Sequence, residues 1–249
     1  MKNIPIVLIC FVLFSCSGKK NDLSKNNLRG KVKTITESEY YSVEKFGEVQ
    51  KGERMDGVRS DNYDMKGNKV EANNFEIDGE ISGKSKYLRN EKGYLLEFVY
   101  YNNLGTVEYK IIYKNDERGN NIECDTYSPF GSFIDRSVNA FDMDENWIGS
   151  ISYNNLGIVQ GSWSSKYDNK ERKIEERYFD ENGKLLDKYL YKYDDNGNLI
   201  EHDFFDEHES FVTKSTYKYK FDKYGNWLNR IEYQDGEPFA IKEREIEYY

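Results

Sequence analysis

Along residues 211–221 the side chains alternate in character. Phe211, Thr213, Ser215, Tyr217, Tyr219 and Phe221 hold one parity, mostly aromatic, while Val212, Lys214, Thr216, Lys218 and Lys220 hold the other, mostly cationic. The pattern recurs where Val107, Tyr109, Ile111 and Tyr113 alternate with Thr106, Glu108 and Lys110, and again through Val159, Trp163 and Tyr167. A period of two with β-branched and aromatic enrichment predicts half-buried antiparallel strands. Past residue 15 no segment carries a helical stripe.

Turn signals punctuate these strands at fixed intervals. One series begins on Tyr63, Tyr87, Tyr113, Phe141, Tyr167, Tyr193 and Phe221, and most members run on through Asp or Asn to Gly-Asn, as in Tyr193-Asp194-Asp195-Asn196-Gly197-Asn198. A second, interleaved series begins on Phe75, Tyr101, Tyr127, Tyr153, Phe179, Phe205 and Tyr233, as in Tyr153-Asn154-Asn155-Leu156-Gly157. Each series has a period of about 26 residues, so two turns per period leave segments of about eight or nine residues, a strand length. Asn, Asp and Gly tolerate the positive φ that reversing antiparallel strands need. The expected fold is therefore all-β: an antiparallel array of about seven β-hairpin repeats over residues 61–249, preceded by N-terminal cap strands over 28–60. With about 14–16 strands it forms one elongated, twisted or curled sheet.

Composition alone would suggest disorder, since 33% of residues are charged and 37% hydrophobic. Three Trp, 22 Tyr and 14 Phe reverse that reading, because disordered chains lack aromatic surface to offset chain entropy. A formal net charge of −9 with no long basic run excludes a sequence-independent nucleic-acid binder, which needs a cationic footprint.

The N-terminus has its own pattern. After Met1-Lys2-Asn3, an apolar run from Ile4 to Phe14 is too short to span a bilayer and fits the core of an export signal. It ends in Leu13-Phe14-Ser15-Cys16, which resembles the lipobox of bacterial lipoproteins. That resemblance implies a signal peptide over 1–15, lipid attachment at Cys16, and a membrane partner reached through an N-terminal lipid anchor. Residues 16–27 are polar and read as a flexible tether. Two lysines, Lys19 and Lys20, stand where an acidic surface-export tag would be, so the outer-membrane-anchored chain is expected to face the periplasm. With Cys10 removed and Cys16 acylated, Cys124 is the sole free thiol and no intrachain disulfide can form. Alternating with Ile122 and Thr126, it reads as a packed core thiol rather than a nucleophile.

The stretch Tyr191-Lys192-Tyr193-Asp194-Asp195-Asn196-Gly197-Asn198-Leu199-Ile200-Glu201 resembles the tyrosine–aspartate repeat of RHS-type proteins, and residues 60–249 are similar to short YD-like arrays on lipoproteins of Bacteroidota. The resemblance implies strand–turn–strand geometry and no particular chemistry. About seven repeats cannot enclose the large shell of that family, and its toxin and self-cleavage segments have no counterpart here.

Catalytic constellations are not assembled by the sequence. His202 and His208 flank Asp203-Phe204-Phe205-Asp206-Glu207, where a metal site with Asp206 or Glu207 competes with an exposed acidic loop, the preferred reading. The Asp194–Asn198 and Asp142–Asn146 stretches look like calcium loops but lack the acid at the twelfth position. No catalytic residue, metal or cofactor is expected. The aromatic face points to a non-enzymatic binding or scaffolding module for a protein or glycan ligand of unknown identity. An immunity-like protein neutralising a periplasmic toxin is the alternative, and an envelope hydrolase the third reading.

Overall fold

The computed structural model describes residues 21–249, so the signal peptide and Cys16 lie outside the described residues. A single helical turn, α1 (Asp22–Lys25), precedes sixteen strands: β1 (Val32–Lys45), β2 (Glu48–Tyr63), β3 (Lys69–Phe75), β4 (Ile81–Arg89), β5 (Leu95–Asn102), β6 (Val107–Asn115), β7 (Asn121–Tyr127) and β8 (Phe133–Phe141). The second half repeats the scheme with β9 (Trp147–Asn154), β10 (Val159–Tyr167), β11 (Lys173–Phe179), β12 (Leu185–Tyr193), β13 (Leu199–Phe205), β14 (Phe211–Phe221), β15 (Trp227–Gln234) and β16 (Glu237–Tyr248). Each strand pairs antiparallel with the next, and β1 pairs with β16, so the sheet closes into a barrel.

The thirteen hairpin turns from β2–β3 to β14–β15 are built alike. Asp194 donates its N–H to the Asn198 carbonyl at 2.9 Å and Gly197 donates to the Asp194 carbonyl at 3.2 Å; the turn at Asn154–Ile158 makes the same two bonds. The fourth turn residue takes a positive φ, 85° at Gly197 and 76° at Gly157, which glycine adopts without steric cost. The carboxylate of Asp194 accepts the amides of Asn196 and Asn198 through Oδ1, and Asn198 Nδ2 donates to Oδ2. These contacts give the Tyr-Asp…Gly-Asn repeat its composition: Asp ties the turn, Gly reverses it, Asn locks it.

The array is closed, where the sequence reading gave an elongated sheet. Sixteen twisted strands exceed the roughly ten that an open sheet carries before curling. An even count of up-and-down strands also brings the last one antiparallel to the first. Ile35 then meets Ile246, Glu37 meets Arg244 and Tyr40 meets Ile241. Residues 28–60 are correspondingly no separate cap. They supply β1 and most of β2, the two longest strands, and β1 is the closing strand.

Alternation now assigns the two faces. On the inner wall Asn139 pairs with Ser150 and Ser150 with Trp163, Glu176 pairs with Tyr189, His202 with Ser215, and Glu232 with Ala240. The outer wall carries charged side chains interspersed with exposed aliphatics such as Leu88, Ile112, Val138 and Ile151. Between β10 and β14 a cross-strand ladder links Lys166 to Glu175, Glu175 to Arg177, Lys192 to Glu201, and Lys214 to both Glu201 and Asp203. Arg136–Asp125 and Lys84–Glu71 continue it around the circumference.

The ends differ. Seven turns of the Tyr-Asp series and both chain ends gather at one mouth, whereas the opposite rim carries the exposed tips of Phe46, Ile77, Leu104, Phe130 and Leu156.

Candidate functional site in the barrel lumen

The interior holds a cavity of about 1210 Å³ beneath the Tyr-Asp mouth and a smaller neighbour of about 260 Å³. Its wall is aromatic and polar together: Tyr113, Trp147, Tyr167, Tyr193, Tyr219 and Trp227 stand among Asn139, Arg172, Lys173, Arg230 and Arg244. The periodic aromatics thus form neither a sealed core nor an outer surface. They line a chamber that the closure of the sheet creates.

The repeat tyrosines are fixed by their hydroxyls. Tyr167 donates to the Trp147 carbonyl at 2.9 Å, Tyr193 to the Lys173 carbonyl at 2.8 Å and Tyr219 to the Leu199 carbonyl at 2.6 Å, each reaching back to the preceding hairpin. Burial pushes the Tyr193 and Tyr219 phenols up to about 12, so they remain donors at any physiological pH.

Charged groups inside the wall are mostly paired. Glu176, only 9% exposed, accepts from Lys173 Nζ at 2.7 Å and the Tyr191 hydroxyl at 2.9 Å. Arg244 donates to Glu37 at 2.6 Å, and its guanidinium lies 3.4 Å from the centre of the Trp227 ring. Burial lowers the Arg244 pKa, and the Glu37 carboxylate opposes that shift. Arg172 pairs with Asp168 at 2.6 Å. Arg230 sits between Tyr217 and Trp227, 4.9 Å and 5.5 Å from their ring centres, and no carboxylate among the described residues lies within ion-pair distance of it.

The mouth is strapped. Asn21 donates to the Lys66 carbonyl at 2.7 Å, and Leu23 N–H donates to the Gly67 carbonyl at 3.1 Å. Asp22 accepts from Arg89 at 2.6 Å and from the Lys69 amide at 2.7 Å. Farther along, Asn27 and Arg29 donate to the Asn196 carbonyl, and Arg29 N–H donates to the Asn226 side chain at 2.8 Å. Residues 21–29 therefore run from the β2–β3 turn to the β12–β13 and β14–β15 turns, and Ser24–Leu28 line the cavity. The sequence reading of a flexible tether through residue 27 is corrected here. Leu23 and Leu28 pack with Val32, Ile35 and Tyr63 in the principal apolar cluster of the fold.

The remaining sequence candidates are dispersed. Cys124 lines the lumen, half-buried, with Asn139 Nδ2 donating to its Sγ at 3.3 Å, and burial pushes its thiol pKa up. It is a wall residue rather than part of a packed core. His202 is inside, stacked between Tyr189 and Tyr191 at 5.3 Å and 5.2 Å, whereas His208 is exposed in the β13–β14 turn beside Glu207. The two rings are not brought together.

No protein-family model matches the sequence, and no curated protein matches it. Solved structures do. Its fold is similar to that of a porin-like protein. That protein, from Bacteroides uniformis, aligns with a TM-score of 0.57 at 9% identity over 87% of this chain and 96% of its own. A porin-like protein from Bacteroides vulgatus aligns at 0.38 with 9% identity, over 88% and 99% of the two chains. A TcdB2-TccC3-Cdc42 structure aligns at 0.31 with 15% identity, over 74% of this chain and 12% of that one. At these identities the likeness concerns the fold, and the last two alignments are too loose to weigh.

Proposed function

We propose that this chain is a non-enzymatic cell-envelope lipoprotein whose barrel stands in water and holds a small ligand in its tyrosine-lined lumen. The supporting observation is the outer wall. A barrel embedded in lipid carries an outward apolar band about 25 Å tall, and each Lys or Arg at the midplane of that band costs about 2–4 kcal/mol. Here neighbouring outward positions are Lys192, Glu201, Lys214 and Asp203, joined in one ion-pair ladder. The likeness to porin-like barrels is one of fold, and these charged outward positions support a wall in water rather than in lipid.

Anchorage follows from Cys16. Four residues separate it from Asn21, which at about 3.5 Å per residue keeps the strapped mouth within roughly 20 Å of the membrane surface. The chamber then opens toward the leaflet that carries the anchor, with the outer membrane and its periplasmic side as the favoured placement. The test uses the full chain carrying Cys16→Ser. It should stay monodisperse in detergent-free buffer and give no stepwise conductance in planar bilayers. A requirement for detergent, together with channel events, would overturn the reading.

A further inference from the structure

Several charged groups line the larger cavity, and Arg230 stands out among them because its Nε is buried and it has no ion-pair partner among the described residues. Arg244, Arg172 and Lys173 each have a carboxylate partner, Glu37, Asp168 and Glu176 respectively. Arg230 has none among the described residues, and its buried Nε has no hydrogen-bond partner in the protein. A buried donor left unmade is costly, more so when the group is charged. The same guanidinium lines the cavity between the Tyr217 and Trp227 rings, with Tyr219 directly across the β14–β15 pair. Arginine presents a planar fork of donors suited to two oxygens of one anion. The same wall carries the rings of Trp227, Tyr219, Tyr193, Trp147 and Tyr167.

Taking the lumen as the ligand chamber proposed above, we infer that it receives an amphipathic anion: a carboxylate, sulfonate or phosphate group seated on Arg230, carried on a planar or ring-bearing apolar body that stacks against the lumen aromatics. The acidic net charge of the chain gives no hint of this preference, which depends on where Arg230 stands in the cavity wall rather than on the overall charge balance. A cavity of about 1210 Å³ is ample for such a molecule, since small-ligand sites run about 300–1,000 Å³. A glycan without a charged group would offer Arg230 hydroxyl acceptors but no countercharge.

A matched pair of probes separates this inference from the reading beneath it. 8-Anilinonaphthalene-1-sulfonate and N-phenyl-1-naphthylamine share the same aromatic body, and only the first carries an anion. Titrated into the full chain bearing Cys16→Ser, both should bind at one site and accept energy from the lumen tryptophans, with the sulfonate the tighter. Arg230→Gln should weaken the sulfonate about tenfold, the factor for one charge-assisted hydrogen bond, and leave the neutral probe unchanged. Arg230→Lys should restore part of the loss, and the neutral probe also reports whether each variant keeps its fold. Equal affinity for the two probes, or a sulfonate affinity indifferent to Arg230→Gln, would overturn the anion site while leaving a lumen-binding protein. Failure of both probes to bind would overturn the anion site and the lumen reading together.

Discussion

The repeat is a piece of local chemistry, and at the residue scale each of its letters has a partner. Asp194 holds a charge against the pull of burial because Asn198, through side chain and backbone, and the amide of Asn196 outweigh it; its pKa lies below the ordinary carboxylate value. Asp and Gly were readable from the sequence because their partners lie within four residues. The tyrosine hydroxyl was not, because its acceptor is a carbonyl twenty residues back on another hairpin, placed there only by strand register. His202 gives the residue-scale test. Burial lowers its pKa below 6.5 against the nearby carboxylates of Glu232, Asp203 and Glu176, so the folded chain keeps the ring neutral. The unfolded chain binds a proton first as pH falls, so this contribution is intact above about 6.5 and declines progressively below it. Thermal melts between pH 7.5 and 5 should show the native protein losing stability on the acid side, and His202→Gln losing less. Parallel slopes would contradict the assignment.

At the scale of elements, the strands and turns were legible and the strap was not. Asn21 to Arg29 has a linker's composition, and what holds it is the fit of its amides and side chains to carbonyls on the Lys66–Gly67, Asn196 and Asn226 turns. Such turn carbonyls leave no trace in a hydrophobicity pattern. The single apolar clue, Leu23, looks isolated in sequence but is 6% exposed and touches the seam where β1 meets β16 and β2. Leu23→Ala should therefore cost about 2 kcal/mol, the low end for a buried leucine, and lower Tm by roughly 4–8 °C. It should also loosen the strap, so that Cys124 in the lumen reacts faster with a small thiol reagent. A variant that melts and reacts like the native chain would show that the strap contributes nothing to closure.

For the molecule as a whole, alternation fixed two chemically distinct faces long before closure could decide which was inside. Aromatic and cationic parities in residues 211–221 are compatible with a curled sheet, a sandwich or a barrel. Closure depends on residues some 200 positions apart, such as Glu37 with Arg244, whose pairing has no local signature. Once the ends meet, the aromatic parity becomes a lumen and the Lys–Glu parity an outer wall, and both functional inferences descend from that one event. Amide hydrogen exchange resolved residue by residue along β1 and β16 tests it directly. In a closed barrel each of these strands has a partner on both sides, so consecutive amides from Thr34 to Ser38, and from Ala240 to Glu243, should all be protected to a similar degree. An open sheet would leave both strands as edges, and every second amide along them would exchange rapidly, contradicting the barrel and everything inferred from its lumen.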